Sequence, residues 1–274
     1  MAKLFTRLLL ATEHTEFDTG AETVALGLAQ RCQLPLATVV PLVSNPEYEA
    51  LAPQIAARAE QEAAAKIAQL RAQANAMDVV IDLRVRRGEE PYREIVQEAL
   101  TQGSDLIIIR RRGKRSFLAN LLVGEMVSKV VAHAPCNVLI VPREAHMWSR
   151  RVLVAAEANE QGRQVVATAI AVAAQCALPL YVVSVIPAEG LRAQAEAFVT
   201  EMLNLAQRGG VVAQGEVRVG KAFTEILAAR ATSQADLIVM ASRGDSRIGR
   251  ALVGGVAQKV MGLSDYPVLV LHCQ

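Results

Sequence analysis

The run MASRGDSRIGRALVGGVAQKV, residues 240–260, has the residue types that can hold a phosphate without side-chain chemistry. An apolar strand ends at Met240 and Ala241. A basic loop around Gly244 follows, and the paired Gly254 and Gly255 then lead into a helix through Val256. Glycines so placed let backbone approach a phosphate, and the N–H groups at a helix start supply the donors. The alternative is architectural, because a tight turn from strand to helix asks for the same residues. A second loop, RRRGKR, sets Arg110, Arg111, Arg112, Lys114 and Arg115 around Gly113. It reads either as an anion site for a polyphosphate, nucleic acid or acidic partner, or as a solvated basic loop. The solvated reading is favoured.

Signatures of catalysis do not accompany these loops. The chain has no G-x4-G-K-[ST] loop, no G-x-S-x-G elbow, and no nucleophile set beside a base at a recognisable spacing. His14, His133, His146 and His272 are scattered without metal-ligand spacing. Asp245 lies near the glycines, but no second carboxylate accompanies it as a metal ligand. Cys32, Cys136, Cys176 and Cys273 form no C-x-x-C pair and read as reduced cytosolic thiols, with Cys32 and Cys176 as packing residues. A net charge of +2 argues against bulk nucleic-acid binding. The first residues show no signal-peptide pattern, so the expected location is the cytoplasm, and the RGD at 243–245 is not read as an adhesion motif. Residues 164–187 are uncharged, but Gln175 and Pro179 interrupt them, and they divide into a helix and a strand rather than a membrane span.

What must position the loops is a duplicated chain. QRCQLPLATVV aligns with AQCALPLYVVSV, placing Cys32 over Cys176, Pro35 over Pro179 and Glu13 over Glu157, each 144 residues apart. SDLIIIRRRGKRS aligns with ADLIVMASRGDSR, placing Asp105 over Asp236 and Gly113 over Gly244. VGEMVSKVV aligns with VGGVAQKVM, placing Gly124 over Gly254, and NVLIV aligns with PVLVL. With 274 residues, two domains follow: 1–142 and 151–274, joined by a linker at 143–150.

Each half alternates buried strands with helices, which implies a parallel sheet with right-handed crossovers. In the first half, helices are expected over 18–32, about 46–76, 91–103 and 118–132. For strand order 3-2-1-4-5, ligands bind where the order reverses, between strands one and four. Glu13 and Glu157 end strand one, so each should face the glycine loop of its half.

The repeated DLIVMASRG…LVGGVAQKV…PVLVL pattern resembles the universal stress protein family in its tandem two-domain form. The resemblance implies two Rossmann-like (flavodoxin-like) α/β domains, and a family in which some members bind ATP or AMP and others do not. Binding members carry G-x2-G-x9-G-[ST]. Carried onto the second half, Ala241 replaces the first Gly, Gly244 and Gly254 fit, and Gly255 replaces the Ser/Thr. Met240 and Val256 match apolar positions that flank the nucleotide. Glu157, beside Ala156, replaces an Asp and would crowd the pocket. In the first half only a vestigial site is implied, at Glu13, Gly113 and Gly124. Arg110 replaces the first Gly, one extra residue precedes Gly124, and Glu125 would repel a phosphate.

The expected function is a non-catalytic stress-response regulator that binds ATP or AMP, with Mg, through the second half. A ligand-free interaction scaffold ranks second and a weak ATPase third. The resemblance also implies that the halves pair through their last strands about a pseudo-two-fold axis, and that the tandem chain can dimerise further.

Overall fold

The computed structural model describes residues 4–13, 18–44, 53–111, 124–242 and 253–272. The chain divides into two compact units, one within residues 5–147 and one within 148–274.

In the first unit β1 (Leu8–Ala11), α1 (Thr19–Cys32), β2 (Leu36–Val43), α2 (Pro53–Ala76) and β3 (Ile81–Gly88) are followed by α3 (Pro91–Gln102), β4 (Leu106–Arg110), α4 (Glu125–His133) and β5 (Asn137–Val141). The strands run parallel in the order β3-β2-β1-β4-β5. The second unit holds β6 (Val152–Ala155), α5 (Glu160–Cys176), β7 (Leu180–Ile186) and a short 3₁₀ turn. Then come α6 (Arg192–Arg208), β8 (Ala213–Val219), α7 (Ala222–Ser233), β9 (Leu237–Ala241), α8 (Gly255–Leu263) and β10 (Val268–Leu271). Its order is β8-β7-β6-β9-β10, again parallel. This is the expected 3-2-1-4-5 order in each half.

The central strands are continuous apolar runs because helices cover both faces. Every residue of β1, β4, β6 and β10 is buried. β3 and β8 end the strand order of their units and are half-exposed. Both carry arginines held by carboxylates, Arg86 by Glu94 and Glu98 at 2.9 Å each and Arg218 by Glu216 at 2.6 Å. Charge on such strands opposes edge-to-edge association.

The duplicated Asp residues do structural work. Asp236 accepts hydrogen bonds from the backbone N–H groups of Ser149, Arg150 and Arg151, and Asp105 accepts from those of Thr6 and Arg7. Each carboxylate thereby fixes the chain as it enters the first strand of its half. The segment expected as a linker is packed rather than free. Ala145 and Trp148 are buried, and the Trp148 indole N–H donates to Cys176 Sγ at 3.3 Å.

The uncharged run at 164–187 does divide into α5 and β7, and no helix among the described residues is long and apolar enough to cross a membrane. α5 begins at Glu160, two residues before Gly162, because Asn159 caps it: its Oδ1 accepts from the Gly162 N–H at 2.8 Å. The helices expected over 46–76 and 118–132 are described only from Pro53 and from Glu125.

Candidate functional site

A cavity of about 440 Å³ opens at the carboxyl ends of β6, β7 and β9. It lies at the reversal of strand order between β6 and β9, where open α/β sheets receive ligands. Its volume falls within the roughly 300–1,000 Å³ usual for small-molecule sites. Depressions of similar size at 71–81 and 29–35 lie at the amino ends of β2 and β3, away from the reversal point.

Three helices start at this cavity, with Asn159, Gln161 and Gly162 at the start of α5, Ala222 of α7 and Gly254 to Ala257 at the start of α8 on its wall. The first-turn N–H groups of a helix have no intrahelical acceptor, and they carry the positive end of its dipole. Those of Gly255, Val256 and Ala257 thus form a ready anion seat on the cavity wall. Gly254 is positioned by its N–H, which donates to Ser242 O at 2.9 Å. The wall also carries aliphatic side chains, Val165, Val183, Val185 and Ile226. Gly162 permits the approach of α5, since a Cβ there would lie 1.9 Å from the Glu157 carbonyl oxygen.

Of the residues expected at a second-half site, Ala156, Glu157, Met240, Gly254, Gly255 and Val256 all line this cavity, and Gly244 lies outside the described residues. Glu157 lines the cavity with an exposed side chain, whose Oε2 accepts from Asn159 Nδ2 at 3.3 Å. Sequence reasoning missed Asn159, Gly162 and Ala222. An Asn just before a helical run is a capping signal, so Asn159 was recoverable; the close approach at Gly162 is a tertiary fact.

The first half is different. Arg110 ends β4 and points back over β1, where its guanidinium pairs with Glu13 and lies 3.1 Å from Asp18. The reading of RRRGKR as a solvated loop fails at its first two residues, because Arg110 and Arg111 are buried. The reason is register: Arg110 is still a strand residue, paired with Val141, and the Arg111 N–H donates to Val141 O. Arg112, Gly113, Lys114 and Arg115 lie outside the described residues. Gly124 caps α4 much as Gly254 caps α8. But Glu125 follows it, exposed and 3.0 Å from Lys129, where Gly255 stands in the second half.

Fold and site together define a tandem α/β protein with an open cavity at the strand-order reversal of its second half. The family model for the universal stress protein family matches residues 4–142 and again 149–272. The chain therefore belongs to the universal stress protein family, with two copies of its domain in tandem. Among curated relatives, a universal stress protein of Synechocystis sp., Slr1230, is 24% identical over 175 residues. That match covers 64% of this chain, which spans 60% of the relative's length. Two crystal structures share the fold over nearly the whole chain. A universal stress protein from Archaeoglobus fulgidus has TM-score 0.75 at 20% identity, over 98% of this chain and 96% of its own. The functionally unknown protein PA1789 of Pseudomonas aeruginosa has TM-score 0.74 at 20% identity, over 97% and 92%.

Proposed function

We propose that the chain is a non-catalytic stress-response regulator whose second half binds an adenine nucleotide, ATP or AMP with Mg²⁺. What carries the reading is the convergence of the α8 N-terminus and an aliphatic wall on one cavity at the strand-order reversal. A phosphate would sit on the N–H groups of Gly255, Val256 and Ala257, and the base against Val165, Val183, Val185 and Ile226. Glu157 and Asn159, on the cavity wall, would accept from and donate to ribose hydroxyls. Domain bounds of 1–142 and 151–274, a cytoplasmic location and pairing of the halves through their last strands belong to the same reading.

The test is thermal unfolding of the full chain with and without ATP, AMP and Mg²⁺. At a hundred times Kd, binding contributes ~2.7 kcal/mol, a rise of roughly 5 °C or more. The control is Gly255→Asp. A Cβ at position 255 meets nothing within 4 Å, so the substitution is sterically free. A carboxylate in the first turn favours the helix by ~0.3–1 kcal/mol but repels phosphate. The variant should melt at or slightly above wild type and lose the nucleotide response. No response in wild type to any nucleotide would favour the scaffold reading instead.

A further inference from the structure

The duplicated sequence surrounds both crevices with equivalent backbone positions. The Thr12 N–H donates to Val39 O and the Ala156 N–H to Val183 O, both at 3.1 Å. Arg110 and Ala241 each end the fourth strand of their half, in register with Val141 and Leu271. In that register Ala156, Gly162 and Ala241, which wall the open cavity, correspond to Thr12, Asp18 and Arg110. Three small residues in one half are a hydroxyl, a carboxylate and a guanidinium in the other.

Arg110 and Asp18 are joined, and Thr12 belongs to a second network beside them. The Arg110 side chain, 10% exposed, pairs through Nη2 with Glu13 and places Nε 3.1 Å from Asp18 Oδ1. Asp18 is fully buried and also accepts from the Glu13 N–H at 3.3 Å. The Thr12 hydroxyl donates to Glu22 Oε1 at 2.7 Å, and Glu22 Oε2 holds Lys66 Nζ at 2.7 Å. Charges this deep persist only when compensated, and the loss of one partner strands the others.

We propose that Arg110 is a built-in occupant of the first half's crevice. Clamped by Glu13 and Asp18, its guanidinium fills from within the chain the place that the second half keeps open, and it holds shut a latent site for a planar cation. The inference uses the second half only for its geometry and does not rest on nucleotide binding there.

The probe is methylguanidinium at millimolar concentration, with methylammonium as the non-planar comparison, and the readout is the unfolding midpoint of the full chain. Arg110→Ala should lower the midpoint by about 6 °C or more, as expected when one partner of a buried ion pair is lost. Methylguanidinium should restore part of that loss, methylammonium less, and neither should move wild type. The proposal is overturned if Arg110→Ala melts like wild type, or if the two cations act alike on it. Should Arg110→Ala yield no folded protein, Glu13→Gln and Asp18→Asn carry the test. Each should lower the midpoint, Asp18→Asn by more because its carboxylate is buried, and the double variant by less than the sum. Midpoints unchanged in both, or strictly additive losses, overturn it equally.

Discussion

Position 162 decides whether the α5 N-terminus can reach the cavity at all. A Cβ there would sit 1.9 Å from the Glu157 carbonyl oxygen, and backbone cannot rotate aside as a side chain would. Gly162→Ala is therefore expected to destabilise by ~1–3 kcal/mol, the usual range for overpacking, read as a lower urea midpoint at unchanged slope. A midpoint equal to wild type would mean that the turn at Glu157 gives way freely. Position 255 is the opposite case, since a Cβ there meets nothing within 4 Å. The cysteines separate in the same way by environment. Burial, and after it the Asp105 carboxylate, push the Cys136 thiol up to about 12. Its folded value lies above the ordinary thiol value, so the fold favours the protonated form. That contribution is complete below about pH 9 and is lost as pH rises toward 12. At pH 8 Cys136 should thus resist alkylation in the native chain and react once the chain is unfolded, which mass spectrometry of the labelled peptides would show. Labelling of Cys136 at the unfolded rate in native buffer would contradict that burial.

At the scale of elements, four of the described helices close through a left-handed residue other than glycine. Gln33 follows α1, Asp78 follows α2, Ala177 follows α5 and Gln234 follows α7, with φ of 52°, 53°, 54° and 56°. Gly103, with φ 59°, does the same for α3 at no steric cost. Ala177→Gly should therefore stabilise the chain by ~0.5–1 kcal/mol, because the native backbone already has the conformation that glycine prefers. An upward shift of the urea midpoint checks it, and a fall would show that the flexibility gained in the unfolded chain outweighs the strain relieved. These caps also mark what was legible beforehand. Gly103 after a helix that starts at Pro91 announces both ends of α3, whereas Ala177 announces nothing, and only the duplicated Cys-x2-Pro context locates that helix end. A parallel sheet was legible because apolar runs alternate with helices in both halves, whereas its 3-2-1-4-5 order follows from the family fold rather than from the alternation. The clamps at Asp105 and Asp236 were visible as a repeat but not as hydrogen bonds to a strand entry.

For the whole molecule, the duplication conceals a difference in the side chains at equivalent positions of the two halves. Glu157 and Gly254 could be placed at one site from the repeat, and Met240 and Val256 beside them from the family resemblance; all four line the cavity. That Arg110 turns inward could not, because a run of arginines looks solvated until the register of β4 keeps the first of them on the sheet. The consequence is an asymmetric response to ligand. In hydrogen exchange with and without AMP, amides at 155–162, 183–185, 222–226 and 253–257 border the open cavity and should gain protection. Their counterparts around Thr12, Asp18 and Arg110 should exchange unchanged, since their crevice is already occupied by the chain's own guanidinium. Calorimetric titration should accordingly give one nucleotide per chain. Protection gained equally at both sets of positions, with two nucleotides per chain, would mean that Arg110 yields its place to the ligand. Glu13 and Asp18 would then have to tolerate a phosphate-bearing molecule beside them, which their charge opposes.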